Sequence, residues 1–305
     1  MTLVVAFSGP KSIWLLTDRR ISYQGRKPKE DGRKLLELET TDGVALLGYA
    51  GLGSTVNGIE PSDWMGRVLR GRNLPLETSL GVLAEAARRQ LPRHLELLPV
   101  PRAPVHNMII TAYLRGEPRL YSIDLTRPPD RNAYLFRFTR HVTNKATSLG
   151  QVAPRVAISG SGAVHLLSDR SWARELVNIV RAHDSGRISS QAVATYLARL
   201  NYRVHLATSN TDNSVGSRCI VVWRYRQGGG AHKLFSGTER ESNSTMTRLP
   251  TIVNGMDIND IAEATMPYMT TYLEALLQGK SEEFDKDAIN AKLARLSNEP
   301  DESID

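Results

Sequence analysis

Thr2, Asp18 and Lys34 supply a hydroxyl, a carboxylate and an amine at even intervals, because Lys34 lies as far beyond Asp18 as Asp18 lies beyond Thr2. A threonine hydroxyl is a poor nucleophile unless a base or a nearby charge eases the loss of its proton. Thr2 follows Met1, and so small a second residue permits removal of Met1, which would leave Thr2 as the N-terminus. Threonine at position 2 is commonplace taken alone. Its company gives it weight. Asp18 ends an apolar segment and is followed by Arg19 and Arg20, Lys34 stands in Gly32-Arg33-Lys34-Leu35, and Tyr49-Ala50-Gly51 closes a further apolar segment.

Other chemistry-bearing patterns are set aside. Gly279-Lys280-Ser281 is like the end of a phosphate-binding loop, but Glu274 stands where the first glycine belongs and a helical pattern precedes it instead of a strand. The histidines show neither HxxxH nor HxxE spacing, so no metal site or other cofactor is expected. Ser159-Gly160-Ser161-Gly162 lies between an apolar segment and a helical one. It could cradle an anion, although a plain strand-to-helix turn is the commoner meaning of such a run.

The elements that must hold these residues can be outlined from periodicity. Strand-like segments are expected at Leu3–Phe7, Ile13–Thr17, Val44–Tyr49, Asn107–Leu114, Arg119–Ile123 and Asn132–Thr139. A helix is expected over Thr78–Leu91, bent or ended by Pro92, with a proline-rich break at Pro99–Pro104. Trp172, Leu176, Ile179 and Val180 share one helical face, and Ala192, Val193, Tyr196, Leu197 and Leu200 share another, with Gly186 between them as in a helix hairpin. Strands then return at Cys219–Tyr225 and His232–Phe235, followed by a polar link at Ser236–Thr247 and helices near Ile258–Leu277 and Asp285–Leu296. Strands and helices in blocks suit an α+β architecture better than an alternating parallel sheet.

Composition narrows the class. The 305 residues are 41% hydrophobic and 23% charged, as in an ordinary globular protein, and no apolar run is long enough to span a bilayer. No secretory signal is recognisable, and the single Cys219 excludes an internal disulfide framework, so a cytoplasmic location is the default expectation. The net charge of +7 invites a nucleic-acid reading, but the arginines are scattered and no aromatic-interleaved basic motif accompanies them. A solvated or inter-subunit surface is the preferred explanation of that charge. The stretch from Glu282 to Asp305 reads as an acidic polar tail.

Taken together, these residues resemble a proteasome β-type subunit, a member of the N-terminal nucleophile hydrolases. Thr2, Asp18-Arg19-Arg20, Lys34 and Ala50-Gly51 match the family's threonine, Asp-x-Arg, lysine and Ala-Gly in order. Gly116-Glu117-Pro118-Arg119-Leu120-Tyr121-Ser122-Ile123-Asp124 is similar to its Gly-x-x-Leu-Tyr-x-x-Asp strand, and Ala157-Ile158-Ser159-Gly160-Ser161-Gly162 to its Gly-Ser-Gly turn into a long helix. Asp212-Asn213-Ser214-Val215-Gly216 resembles its Asp-x-x-Ser-Gly segment, with the serine one residue early.

The resemblance implies a four-layer αββα sandwich over residues 2–230, with residues 231–305 as a mainly helical C-terminal extension. It implies Thr2 as nucleophile, its α-amine as base, Lys34 beside the hydroxyl, Asp18 holding the lysine, and Ser161 and Asp212 near the amine. Gly51 N–H would donate to the oxyanion, a kind of contact worth ~3–4 kcal/mol. An α-amine with an ordinary pKa of about 7.7–8.0 is partly neutral near physiological pH. Arg20, Ser22 and Gly51 would border the substrate. The implied partners are unfolded peptides or proteins and further copies of the chain, in a ring or related array. No motif identifies an unfolding partner, and no propeptide is evident, so exposure of Thr2 is expected to depend on Met1 removal. Two other readings stand beside this one: a non-catalytic proteasome-like assembly protein that retains Met1, and a small-amide acylase of the same superfamily.

Overall fold

The computed structural model describes residues 2–21, 27–51, 53–54, 58–96, 106–126, 135–141, 153–240, 249–278, 287–291 and 294. The architecture is mixed α+β and is built on two sheets, with strands numbered in chain order. The first sheet holds β1 (Val4–Ser8), β2 (Ser12–Asp18), β8 (Arg155–Ser159), β9 (Arg218–Tyr225), β10 (Gly230–Ser236) and β11 (Glu239–Arg240). Its order is β11-β10-β9-β2-β1-β8, antiparallel throughout. The second sheet holds β3 (Leu35–Thr40), β4 (Gly43–Ala50), β5 (Asn107–Leu114), β6 (Glu117–Thr126), β7 (Leu135–His141), β12 (Thr251–Val253) and β13 (Met256–Asp257). Its order is β13-β12-β3-β4-β5-β6-β7, with β12 parallel to β3.

Alternation along the strands builds the core. Successive side chains of a strand point to opposite faces, and β1 and β2 are buried on both. Val5, Phe7, Trp14 and Leu16 pack with helical residues Leu176, Val193 and Leu197. Val4, Ala6, Ile13 and Leu15 join Leu35, Leu46 and Ile109 of the second sheet in a separate apolar cluster. A further cluster sets Leu36, Leu47 and Ile110 against Trp64, Leu80 and Leu83. The sheets approach closely near Gly48, where a Cβ would come within 2.8 Å of Val4 Cγ1.

The helices are α1 (Pro61–Leu69), α2 (Leu76–Glu96), α3 (Val164–Leu167), α4 (Ser171–Asp184), α5 (Ser190–Ser209) and α6 (Ile258–Leu277). Gly186 between α4 and α5 has φ +77°, a conformation that favours glycine. The Ser189 hydroxyl caps α5 by accepting from Ala192 N, and Asp257 caps α6 through Asn259 N and Asp260 N.

Several expectations change. Pro92 does not end α2, which runs on to Glu96. The turn after β8 leads into a 3-10 turn (Ser161–Ala163) and the single turn of α3, and the long helix begins only at Ser171. Helix α1 has no counterpart among the sequence expectations, although Pro61 at its first turn and Trp64, Met65, Val68 and Leu69 at helical spacing mark it. The chain after Gly230 contributes strands to both sheets as well as α6. The Pro99–Pro104 break, most of the Ser236–Thr247 link and the acidic tail lie outside the described residues, as does much of the Asp285–Leu296 helix.

Candidate active site

Register brings Thr2 into its surroundings. Strand β1 lies between β2 and β8, with Val4 opposite Thr17 on one side and Ser159 on the other. The residues just before Val4 therefore lie beside the end of β2 and the turn after β8. That turn needs glycine: Gly160 has φ +95°, and a Cβ there would collide with the Thr2 carbonyl oxygen. Gly162 N–H donates to the same oxygen at 3.2 Å. Ser161 Oγ accepts from Thr2 N at 3.3 Å. Here Thr2 N is a peptide nitrogen, occupying the position the α-amine would take after Met1 removal.

Lys34 arrives from the second sheet. Its carbonyl accepts from Tyr49 N at 2.9 Å, which pairs the entry to β3 with the end of β4. The preceding residue is held at both ends of its peptide group: Arg33 N donates to Glu60 Oε2 at 2.7 Å, and Arg33 O accepts from Ser62 N at 3.2 Å. Lys29 also pairs with Glu60. The start of α1 thus sets where Lys34 leaves the backbone. Lys34 Nζ donates to Thr2 Oγ1 and to Asp18 Oδ1, the latter at 3.0 Å.

Asp18 is fully buried and spends both carboxylate oxygens. Oδ1 accepts from Leu3 N at 2.9 Å as well as from Lys34, while Oδ2 accepts from Arg20 N at 3.1 Å and Gly216 N at 3.2 Å. Charge-assisted bonds of this kind are among the stronger ones in proteins. Burial pushes the Lys34 amine below the ordinary lysine range, while the charge and hydrogen bond of Asp18 pull it back up. A lysine whose proton is made easier to lose, bonded to a hydroxyl, is suited to exchange a proton with it or to stabilise the alkoxide.

The remaining expected residues are less uniformly gathered. Gly51 follows β4 at the end where Lys34 enters β3, with φ +144°. The Arg20 guanidinium pairs with Glu30 at 2.7 Å and donates to Asn213 O at 2.9 Å. Asp212 is exposed, and its Oδ1 accepts from Ser214 N at 3.0 Å. Ser22 lies outside the described residues. The amides of Leu3 and Gly216 and the clamp from Glu60 were not anticipated. Backbone donors carry no side-chain signature, and Glu60 is separated from Lys34 in the chain by β3 and β4. Behind the end of β4, Tyr49 Oη and His106 Nδ1 share a hydrogen bond at 2.9 Å, and burial lowers the His106 pKa to about 4.

A cavity of about 340 Å³ lies among Glu39, Asp42, Tyr113, Arg224 and Arg226, at the other end of β4 and β9, and none of the candidate residues lines it. Among the described residues no group of three His, Cys, Asp or Glu could hold a metal ion, and no helix is long and apolar enough to cross a membrane.

No protein-family model and no curated protein matches the chain. Solved structures do. An Anbu (Gly-1) mutant from Hyphomicrobium sp. strain MC1 is 16% identical, with 93% of this chain and 100% of that chain covered and a TM-score of 0.45. The helical assembly of the Anbu complex from Pseudomonas aeruginosa is 14% identical, with coverages of 92% and 98% and a TM-score of 0.46. Anbu (ancestral beta-subunit) from Yersinia bercovieri is 14% identical, with coverages of 78% and 84% and a TM-score of 0.43. With identities and TM-scores of this size, the function of the chain has to be read from its own residues.

Proposed function

We propose that the chain is a proteasome-like hydrolase of the N-terminal nucleophile type, cleaving peptide bonds through Thr2 within an assembly of its own copies. One observation carries the reading: the Thr2 hydroxyl accepts from a buried lysine that is itself paired with a buried aspartate at 3.0 Å. Ionisable side chains are rarely buried without a reason beyond packing, and such groups cluster at functional sites. The apolar clusters between helices and first sheet, between the sheets, and between second sheet and helices support the four-layer αββα sandwich of that superfamily.

With Met1 removed, the α-amine of Thr2 lies near Ser161 and takes the hydroxyl proton. Lys34 stabilises the developing alkoxide, and Asp18 fixes the lysine. Attack on a carbonyl carbon forms a tetrahedral intermediate, whose oxyanion receives the Gly51 N–H. The proton held by the amine passes to the leaving nitrogen as the C–N bond breaks. The resulting ester on Thr2 is hydrolysed by water, activated in turn by the amine, which releases the acid and restores the hydroxyl.

One observation favours the non-catalytic assembly protein: Thr2 is only 1% exposed in the chain that carries Met1. N-terminal sequencing separates the two readings, since Met1 intact on every molecule excludes this chemistry. Fluorogenic peptides assayed beside small acyl amides test the substrate class, with Thr2→Ala as the control. Cleavage of peptides that Thr2→Ala abolishes is the expected outcome, and activity that survives Thr2→Ala overturns the assignment.

A further inference from the structure

The cleft between the two sheets changes character along its length. From the Thr2 end inward it is apolar, with Leu35 of β3, Leu46 of β4, Ile109 of β5 and Ile220 and Val222 of β9 in one cluster. Alternate residues of a strand share a face, so the next positions turned into the cleft are Glu37 and Glu39 on β3 and Arg224 on β9. Glu37 is 1% exposed and pairs with Arg224 across the cleft. Here too lies the cavity of about 340 Å³, whose walls include Glu39, Asp42, Val44, Tyr113, Arg224 and Arg226. Glu39 stands five residues beyond Lys34, roughly 17 Å at the rise of a strand, which sets the cavity apart from the Thr2 site.

The charges on these walls are only partly spent. On the second-sheet side, the Glu39 carboxylate is in no hydrogen bond or ion pair among the described residues. Asp42 Oδ1 accepts from Leu76 N at 2.8 Å and from Thr40 Oγ1 at 3.1 Å, while its Oδ2 accepts nothing among the described residues. On the first-sheet side, Arg226 approaches Glu117 only to 3.8 Å, with both side chains half exposed. Arg224 Nε is buried and has no hydrogen-bond partner among the described residues, although buried donors in proteins are nearly always met. Val44 and Tyr113 add apolar surface to the lining, and both pack on the apolar cluster of the cleft.

We propose that this cavity binds a small zwitterion, a free α-amino acid or a short peptide. Its ammonium group lies at Glu39 and Asp42, and its carboxylate at Arg224 and Arg226. A ligand of one sign meets repulsion from one wall or the other, whereas a molecule carrying both charges is complementary to both. Each end then makes charge-assisted hydrogen bonds, which are stronger than neutral ones. The volume is at the lower end of the range for ligand sites, which suits one or a few residues and excludes a folded chain. Peptide hydrolysis releases molecules of this class, but the binding does not depend on the Thr2 chemistry proposed above.

The test is isothermal titration calorimetry on the full chain carrying Thr2→Ala, so that no probe is consumed. The probes are alanine, dialanine and trialanine, followed by the N-acetylated and the C-amidated form of the tightest binder. Binding at millimolar concentration or below is expected, and the length bound most tightly tells a free amino acid from a peptide. Each cap removes one charge and is expected to weaken binding about tenfold. Glu39→Gln should narrow the gap between the free and acetylated forms, and Arg226→Gln the gap between the free and amidated forms. Both positions are exposed, and circular dichroism checks that the fold is kept. No binding at millimolar concentration, or caps that make no difference, would overturn the proposal. Peptide binding that neither substitution alters would place the peptide elsewhere on the chain and overturn it too.

Discussion

Substituting Asp18 by Asn keeps the shape of the side chain and removes its charge. Asp18 accepts four hydrogen bonds, from Leu3 N, Lys34 Nζ, Arg20 N and Gly216 N, at zero exposure. Breaking a buried ion pair on one side costs about 3–5 kcal/mol, because the remaining charge is left without compensation. An amide also turns an N–H₂ group toward donors that faced an oxygen, at about 1–3 kcal/mol for each buried donor left unmet. Asp18→Asn is therefore expected to cost at least about 4 kcal/mol, a large part of the roughly 5–15 kcal/mol of a typical domain. Lys34→Met should cost about 3 kcal/mol, since Asp18 keeps three backbone donors. The double variant removes both charges, so its cost should fall short of the sum of the single costs by about 2 kcal/mol or more. Equilibrium urea unfolding of the four proteins reads this directly. Costs that add to within about 0.5 kcal/mol would refute the claim that the two charges hold each other inside the protein.

Acid should weaken the fold through His106. Its folded pKa of about 4 lies below the ordinary 6.5, so between those values the unfolded chain binds a proton that the native one refuses. Stability is then lost as pH falls from about 6.5 to about 4, by up to roughly 3 kcal/mol, and His106→Gln should flatten that part of the stability–pH curve. An unchanged slope in the variant would refute the assignment. Gly160→Ala should lower the urea midpoint by the equivalent of at least about 1–3 kcal/mol, because it joins a positive φ to a collision with the Thr2 carbonyl oxygen. A midpoint equal to that of the unaltered chain would show that the turn around Ser161 is not held as described.

Much of this arrangement is legible in the sequence because strands alternate and turns have chemistry. Leu3–Phe7, Ile13–Thr17 and Cys219–Tyr225 read as strands from apolar runs, and each forms one within a residue or two of its expected ends. Ile258–Leu277 reads as a helix from its period and forms one with those bounds. Short strands such as β11 and β13 have too few residues to show a period. Helix α2 continues past Pro92 to Glu96, so the local rule that a proline ends a helix does not decide this boundary. At the site, Thr2, Asp18 and Lys34 could be paired by spacing because β1, β2 and the entry to β3 follow one another in the chain. Asp212 could not be judged that way. Whether a carboxylate at the end of α5 turns inward or takes up the amide of Ser214 depends on the turn itself, where Asn213 adopts φ +49°.

Intact mass spectrometry, before and after treatment with a threonine-directed covalent inhibitor, tests the central claim most directly. The expected result is a chain lacking Met1 that gains a single adduct per molecule, mapped to Thr2 by peptide sequencing and absent from Thr2→Ala. A chain that retains Met1 and takes up no adduct, or one labelled equally in Thr2→Ala, would contradict it.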